Sequence, residues 1–501
     1  MSGSEKILIL LKLWRKLNKF IIEFFNSYFI KVKMYFWFVM IISFLVIFHR
    51  LGEAPLGGDD CYFSEKAKEM ARTGDYLTLK YGYAINFDNK PPFIFWMNSF
   101  VGKILGFNNF SMRLGSAVLC WICVVLTFWF TKYIFGSVEA FLSSIVLTFT
   151  QQYLYHARSA VTDGPLAVFI SFAMFCFWVA YAKKKPILYY LMGLFTGLAV
   201  MTKQINGFFV YAIIVVFIIL TRNYKILINP HFYGGIIVSF IIFLPWHIWS
   251  IVVHGMPFVT SYFGSIFSFV FKGIENRASD PWYEYIRKIV ENYWPWFPFL
   301  IASILYEIKN ILYKKIGSEE IRKKVFLLTW SFIPLFILQL GKIKTTQNLT
   351  PIYIPFSILT SLFLKRINEN TAGKVVKWIV LLTSVVTIIF LLTPIIPKTM
   401  DSREYVEYMP LIDSVKKISS VVYTLKHTFW YFSNATWFYA DRRVIGLTED
   451  ELINKLFLNK KSYFLLFTDD FYRLKRRFSS KIKILKASKR IVLFTNLYDE
   501  N

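Results

Sequence analysis

The chain has 501 residues, of which 56% are hydrophobic, 20% are aromatic and only 18% carry a charge. A soluble globular protein carries roughly a quarter charged residues, so this composition excludes an ordinary soluble domain and indicates a polytopic membrane protein. The formal net charge of +27 is concentrated in the N-terminal segment, the short loops and the C-terminal tail, with no RNA or DNA motif among them, so no nucleic-acid partner is predicted.

The first 33 residues form a basic, amphipathic segment. The stretch EKILILLKLWRKLNKF alternates bulky apolar residues with lysines and an arginine. This pattern is typical of a helix that lies on the anionic cytoplasmic leaflet, and it is too charged for a cleaved signal peptide. We therefore assign residues 1–33 to a cytoplasmic amphipathic segment.

Apolar runs near the ~20 residues needed to span a bilayer dominate residues 34–398. About eleven occur, at 34–50, 112–134, 138–155, 165–182, 186–201, 206–221, 232–253, 294–312, 325–340, 349–364 and 375–397. Because a few of these runs are short, their division into spans stays open, and we expect about 11 to 13 transmembrane helices.

The positions of lysine and arginine orient these spans. With the N-terminal segment inside, the short loops that are rich in these residues also fall inside, as the positive-inside rule requires. The segments left outside are 51–111, 156–164, 202–205, 254–293 and 341–348, and the tail from about 398. We therefore expect a multi-pass protein of the cell (inner) membrane whose outer segments face the periplasm.

The first outer loop, residues 51–111, is too long to be a mere connection, and long loops tend to be functional. Within it, SEKAKEMARTG predicts a helix with Ser64 as its N-cap and Gly74 as its stop. A rigid Pro91-Pro92 pair then precedes an apolar and aromatic stretch. That stretch predicts a second helix, lying in the outer interface.

The tail, residues 399–501, has a mixed and basic composition. The runs SSVVYTL, HTFWYFS, SYFLLFT and RIVLFTN are β-branched or aromatic, which predicts strands, and TEDELINKLFLNK predicts a capped helix between them. The predicted fold is therefore an α-helical integral membrane protein with a small C-terminal α/β domain outside the membrane.

Ionisable residues gather at the outer ends of the spans. They are Asp59, Asp60, Asp88, Lys90, Arg113, Arg158, Asp163 and Lys203. Each alone could be a capping or snorkelling residue, but the predicted topology puts all of them at one face. Nucleotide-activated sugars are normally confined to the cytoplasm, so group transfer outside must draw on a carrier such as a polyprenyl phosphate. Lysine or arginine would stabilise the departing phosphate, and a carboxylate would accept the nucleophile's proton.

The first outer loop resembles that of the GT-C glycosyltransferases related to the aminoarabinose transferase ArnT and the protein O-mannosyltransferases. The shared features are an acidic pair, a helix ending in an E-M step, and then G-D-Y, K-P-P-F and R-L, in that order. The resemblance continues through ARSAVTDGPLAVF, GLAVMTKQ and, more weakly, KTTQNLTPIYIP. It covers about residues 50–355.

This resemblance implies a lipid-phosphate-linked sugar donor and a single displacement that inverts the anomeric centre. Asp59 matches the family's catalytic carboxylate, and Asp60 matches its neighbour. Lys90 matches the lysine near the donor phosphate, and Asp163 matches the acid of the T-D motif near the active cavity. Three further basic residues are candidates for substrate contacts: Arg113, Arg158 and Lys203.

Two positions depart from the family pattern. Tyr62 stands where many members have a basic residue, three positions after the catalytic acid, and we keep it as a candidate substrate-binding residue. Asn89 stands where many have an acid directly before the K-P-P lysine, and Asp88 could substitute for that acid. A divalent metal ion therefore stays open as a cofactor.

We predict a glycosyltransferase that moves a monosaccharide from a polyprenyl-phosphate donor to an acceptor at the outer membrane face. Lipid A, another lipid, a glycan and a protein side chain are all open as acceptors, with membrane lipids as further partners. Two alternatives stay open: a transporter or flippase of lipid-linked sugars, and an inactive relative that only binds the lipid. A transporter would more naturally place ionisable residues or broken helices at mid-span in both halves.

Overall fold

The computed structural model describes a long helical bundle followed by a sheet-containing tail. It describes residues 28–81, 84–85, 90–267, 279–313, 319–371, 373–395, 403–418, 421–458, 460–478 and 482–496. The predicted N-terminal amphipathic helix and Asp88 lie outside the described residues.

Most of the predicted apolar runs fold as one helix, but the run 138–155 is divided into two, Ser137–Thr148 and Gln151–Ala157. The helices of the bundle are α1 (Tyr28–Phe48), α2 (Gly58–Thr73), α3 (Phe93–Leu105), α4 (Asn109–Ile134), α5 (Ser137–Thr148), α6 (Gln151–Ala157), α7 (Asp163–Lys183), α8 (Ile187–Lys203), α9 (Phe209–Thr221), α10 (Pro230–Phe267), α11 (Glu284–Asn292), α12 (Phe297–Tyr313), α13 (Glu319–Gln339), α14 (Tyr353–Asn370) and α15 (Lys374–Leu392). Five stretches are long and apolar enough to cross a membrane: α4, α7, α8 continued by α9, α10 up to Gly264, and α15. The chain is thus mostly helical, with five stretches suited to crossing a membrane, and the full count of spans stays a prediction.

Helix α7 lies at the centre of the bundle. Nearly all of its side chains are buried, from Asp163 to Ala180. Its neighbour α8 also packs closely on α10, because glycine lets the two backbones touch. A Cβ atom on Gly193 would lie only 1.8 Å from the carbonyl oxygen of Gly235.

Helix α10 runs further than the sequence indicated. The segment from residue 254 was predicted to be an outer loop, yet the helix continues to Phe267 across a kink at Gly255, whose φ is 61°. Glycine adopts this conformation at little cost, so the chain bends there instead of leaving the helix.

The first outer loop holds α2, α3 and a short hairpin of β1 (Lys80–Tyr81) and β2 (Ala84–Ile85). Gly74 ends α2 in the left-handed conformation, as predicted. The predicted N-cap Ser64 is wrong, because α2 begins at Gly58. Asp59 and Asp60 then occupy its first turn, where negative charge interacts favourably with the helix dipole.

The tail forms a five-stranded sheet with helices around it. Its elements are α16 (Arg403–Lys416), β3 (Val422–Leu425), α17 (Phe429–Ala440), β4 (Val444–Leu447), α18 (Glu449–Leu456), β5 (Tyr463–Phe467), α19 (Thr468–Phe478), β6 (Ile482–Ala487) and β7 (Ile491–Asn496). The strand order is β4-β3-β5-β7-β6; β3 is parallel to β4 and β5, and β7 is antiparallel to β5 and β6. Helix α18 has the predicted cap, a capping box of Thr448 and Glu451.

One predicted strand of the tail is wrong, since HTFWYFS begins α17. This helix packs on α2, and the loop around α2 shares a hydrophobic core with the tail. Tyr439 Oη accepts a hydrogen bond from the Leu56 amide at 2.6 Å and donates one to Asn109 at 2.6 Å. The aromatic run therefore fits a helix buried on two sides, and the tail lies at the same end of the bundle as the acidic pair.

Candidate active site

A cavity of about 680 Å³ lies where the first outer loop meets the ends of α7, α8 and α13. We call it the site cavity. Four of the predicted site residues line it: Asp59, Lys90, Asp163 and Lys203. Apolar side chains make up much of the remaining wall, among them Phe63, Phe208, Ile337 and Leu340. The cavity thus combines charged groups with walls that suit a lipid chain.

The two acids of the pair face different surroundings. Asp59 is exposed and lines the site cavity. Asp60 is turned inward: its Oδ1 accepts a hydrogen bond from the Ala160 amide at 2.9 Å, and its Oδ2 lies 3.4 Å from Arg113 Nη2. Burial raises the pKa of Asp60, and the charge of Arg113 opposes this rise. Asp59 is therefore the acid placed to meet a ligand, while Asp60 ties α2 to its neighbours.

Two buried arginines hold the chain that leads to the acidic pair. Arg113 donates to the carbonyl oxygens of Ala54 at 2.6 Å and Pro55 at 3.0 Å. Arg158 donates to the carbonyl of Ile47 at 2.6 Å, at the end of α1. Both are 1% exposed, and neither is among the described residues that line the site cavity. This geometry favours a supporting role for both, and phosphate contact by either stays a prediction.

Lys203 lies in a polar cluster at the cavity wall. Its Nζ donates to Asp163 and, at 2.9 Å, to Asn348 Oδ1. Asn348 lies in the 3-10 turn Thr346–Ile352 before α14 and was not predicted as a site residue. The only signal for it in the sequence was the weak resemblance of KTTQNLTPIYIP.

Tyr62 points away from the site cavity into the tail interface. Its ring centre lies 4.9 Å from that of Tyr81 and 5.0 Å from that of Trp430. The fully buried Lys66 places its Nζ 4.5 Å from the Tyr62 ring centre. A basic residue is therefore present near this position, one helical turn later than in the family pattern.

Three polar atoms at the cavity are buried without a hydrogen-bond partner among the described residues: Thr162 Oγ1, Gln204 Nε2 and Tyr285 Oη. Thr162 stands at the N-cap of α7, yet its hydroxyl does not cap the helix. Gln204 has a φ of 49°, a strained value for a residue other than glycine. Tyr285 lies beside Asn348 and Thr345 without a hydrogen bond of normal geometry. Buried polar groups are normally satisfied, so these three retain hydrogen-bonding capacity for a ligand or water in the cavity.

A metal site is not evident among the described residues, where no group of three or more His, Cys, Asp or Glu side chains is placed to hold an ion. Asp88, the acid that could complete a metal site, lies outside the described residues. A divalent metal ion therefore stays open as a cofactor.

Comparison of the sequence with known families gives one match that overlaps the predicted motifs. Residues 89–249 match the family described as dolichyl-phosphate-mannose-protein mannosyltransferase. An uncharacterized protein of Aquifex aeolicus is 28% identical over 342 residues, covering 68% of this chain and 65% of that protein. The undecaprenyl phosphate-alpha-4-amino-4-deoxy-L-arabinose arabinosyl transferase of Edwardsiella ictaluri is 24% identical over 365 residues, covering 67% of this chain and 60% of that protein. The chain thus spans about three fifths of the length of these relatives.

The fold is also that of solved proteins. ArnT from Cupriavidus metallidurans in the apo state superposes with a TM-score of 0.73 at 14% identity, covering 94% of this chain and 99% of that chain. The archaeal oligosaccharyltransferase AglB from Archaeoglobus fulgidus gives a TM-score of 0.55 at 14% identity, covering 90% of this chain and 71% of that chain. These matches confirm the predicted resemblance to the ArnT-like GT-C glycosyltransferases.

Proposed function

We propose that this protein is a membrane glycosyltransferase that transfers a monosaccharide from a polyprenyl-phosphate donor to an acceptor at the outer membrane face. The observation that carries the proposal is that Asp59, Lys90, Asp163 and Lys203, drawn from four separate segments, line one cavity with apolar walls. An ArnT structure of the same fold has been solved bound to undecaprenyl phosphate. This supports a lipid-phosphate donor for the present chain.

The reaction is a single displacement with inversion. A nucleophilic hydroxyl or amine of the acceptor attacks the anomeric carbon, and the bond from that carbon to the phosphate oxygen breaks. Asp59 takes the nucleophile's proton, since it is the exposed acid on the cavity wall. Lys90 and Lys203 stabilise the negative charge that the departing polyprenyl phosphate gains. Asp60 and Arg113 position the turn that carries Asp59.

The unsatisfied polar atoms support a sugar-binding role for the same cavity. Leaving a buried hydroxyl or amide without a partner costs about 1–3 kcal/mol. A sugar ring offers several hydroxyl groups that both donate and accept hydrogen bonds. We infer that Thr162, Gln204 and Tyr285 meet the hydroxyl groups of the donor sugar.

The arrangement favours an enzyme over a transporter. Asp163 is the first residue of α7, and Lys203 is the last residue of α8. Asp163 therefore lies at the end of its span, whereas transport sites lie near mid-span at broken helices. We further propose an inner-membrane location with the cavity facing the periplasm, and lipid A, another lipid, a glycan or a protein as acceptor.

The test is release of polyprenyl phosphate by purified protein in lipid. A panel of polyprenyl-phosphate sugars is supplied with and without cell-envelope extract, and free polyprenyl phosphate is measured. We expect Asp59→Asn to abolish release, while Asp413→Asn, an exposed acid of the tail, leaves it unchanged. Near-normal release by folded Asp59→Asn would remove that residue from the mechanism. No release from any donor by the wild-type protein, with the lipid moved across the bilayer, would instead favour a transporter.

A further inference from the structure

A second cavity, of about 670 Å³, lies at the end of the bundle opposite to the site cavity. We call it the basic pocket: its charged residues are Lys184, Lys225, Glu319 and Arg322, with His231 and the aromatic residues Trp178, Tyr181 and Tyr189 among its walls. Helix α7 reaches both cavities, with Asp163 at one and Trp178 at the other. At 1.5 Å per residue, the two cavities lie about 20–30 Å apart along the helix.

The basic pocket holds more cations than acids, since Glu319 is the one acid among its described lining residues. Among the described residues, Lys184, Lys225 and Arg322 form no ion pair. Other lysines at this end are paired: Lys323 with Glu320 at 3.0 Å, Lys324 with Glu307 at 2.5 Å and Lys365 with Glu139 at 3.0 Å. The acid of the pocket, Glu319, lies 3.5 Å from Lys323, which lies outside the lining. The pocket therefore keeps a net positive charge in a concave space.

Helix ends of both kinds meet at the pocket, since α7 ends at Lys183 and α9 ends at Thr221 beside lining residues. Pro186 precedes α8, Asn229 precedes α10, and Glu319 begins α13, and all three residues line the pocket. The N-terminal end of a helix carries a partial positive charge and free backbone amides. The C-terminal ends of α7 and α9 carry the opposite partial charge, so the preference for an anion comes from the cations of the pocket.

The floor and rim of the pocket are apolar. Trp178, Tyr189 and Ile226 are 2%, 3% and 4% exposed and form the floor. Ile187 and Ile228, next in sequence to lining residues, are 63% and 80% exposed. Exposed isoleucine beside a cationic pocket fits a ligand whose charged group is attached to acyl chains.

We propose that the basic pocket binds a phosphate-bearing anion, and that this anion is the headgroup of a membrane lipid. A cation near an anionic membrane surface is worth about a fivefold change in affinity. Three unpaired cations around one phosphate therefore predict a loss of at least about tenfold when all three are removed.

The experiment uses the purified full-length protein in an uncharged detergent. Native mass spectrometry counts bound phosphatidylglycerol across a titration, with phosphatidylcholine as the zwitterionic comparison and inorganic phosphate at matched ionic strength as a competitor. The variant is the triple Lys184→Gln, Lys225→Gln and Arg322→Gln. The control triple is Lys183→Gln, Lys185→Gln and Lys374→Gln, which removes the same charge from exposed positions at the same end, outside the pocket.

We expect saturable phosphatidylglycerol binding in the wild type and the control, and at least tenfold weaker binding in the pocket variant. Equal weakening in both triples would mean diffuse surface attraction and would overturn the site. Saturation by inorganic phosphate with no phosphatidylglycerol binding would overturn the lipid as ligand and assign the pocket to a soluble phosphate. Sugar transfer is not measured, so failure here is separate from failure of the proposed function.

Discussion

The two cavities of the bundle have similar volumes, about 680 and 670 Å³, but hold their charges in different ways. In the site cavity, Lys203 is bonded to Asp163, and their side chains are 13% and 7% exposed. In the basic pocket, Lys184 and Lys225 form no ion pair among the described residues. A buried pair fixes the position of both groups and is costly to break, whereas exposed cations attract anions without fixing them. One end is therefore suited to positioning a reacting bond, and the other to collecting an anion.

The largest expected effect comes from breaking the buried pair. Lys203→Met leaves the Asp163 carboxylate without its cation, and losing one partner of a buried ion pair costs about 3–5 kcal/mol. We expect a lower unfolding midpoint in detergent and loss of polyprenyl phosphate release.

A double variant separates these two effects. Lys203→Met with Asp163→Asn removes both charges, so most of the stability should return while release stays low. A single Lys203→Met variant as stable as the wild type would show that the pair does not have the strength its burial indicates.

Much of the fold was predictable because it follows from local patterns. Apolar runs of bilayer length predicted most of the long helices of the bundle, and the run TEDELINKLFLNK predicted the capped helix α18. The run 138–155 was predicted as one span but is divided into α5 and α6. The strand prediction for HTFWYFS failed because aromatic runs suit a strand and a buried helix equally well. Only contact with α2, which is distant in sequence, decides between them.

The site was predictable only in part. The motifs shared with the GT-C glycosyltransferases, taken in their order along the chain, predicted four residues that line one cavity: Asp59, Lys90, Asp163 and Lys203. The supporting contacts of Arg113 and Arg158 could not be predicted, since their partners are backbone carbonyls rather than side chains. Thr162, Gln204 and Tyr285 are ordinary residues in their local sequence and become notable only through burial at the cavity wall.

A second prediction concerns the interface between α2 and the tail, at the same end as the site cavity. Glu65 is 3% exposed there, and burial raises its pKa to about 8 from an ordinary value of 4.5. Between these pH values the folded protein holds more protons than the unfolded chain. The free energy of unfolding should therefore fall as pH rises from about 4.5 to about 8, by up to about 1.4 kcal/mol per pH unit.

Glu65→Gln should remove most of this slope, because glutamine does not titrate, and should make the protein more stable than the wild type at pH 8. Unfolding midpoints across this pH range measure it, with Glu407→Gln, a second acid of the tail region, as the control. A slope that is the same in Glu65→Gln and the wild type would contradict the assignment.

A third prediction tests the sugar contacts. Thr162→Val, Gln204→Met and Tyr285→Phe each remove one unsatisfied polar atom with little change of shape. We expect each to lower kcat/KM for the donor by about 3- to 30-fold, equivalent to about 0.7–2 kcal/mol. Inhibition by sugar-free polyprenyl phosphate should be unchanged, because the phosphate contacts remain.

Tyr353→Phe is the matched control, since Tyr353 Oη is also buried without a partner among the described residues but does not line the cavity. Weaker inhibition by polyprenyl phosphate in the three variants would assign these residues to the phosphate instead of the sugar.

The smallest expected effect concerns Lys225, a cation of the basic pocket at the other end of the bundle. Lys225→Met breaks no described ion pair, so its free energy of unfolding in uncharged detergent should change by less than about 0.5 kcal/mol. Lys324→Met at the same end breaks a pair with Glu307 that is as buried as the pair of Lys203 with Asp163, and it should cost much more, about 3–5 kcal/mol. Both remove one positive charge from the same end, so a difference between them reports on pairing rather than on net charge. If Lys225→Met is as damaging as Lys324→Met, the cations of the basic pocket support the fold, and their lack of ion pairs no longer argues for a ligand.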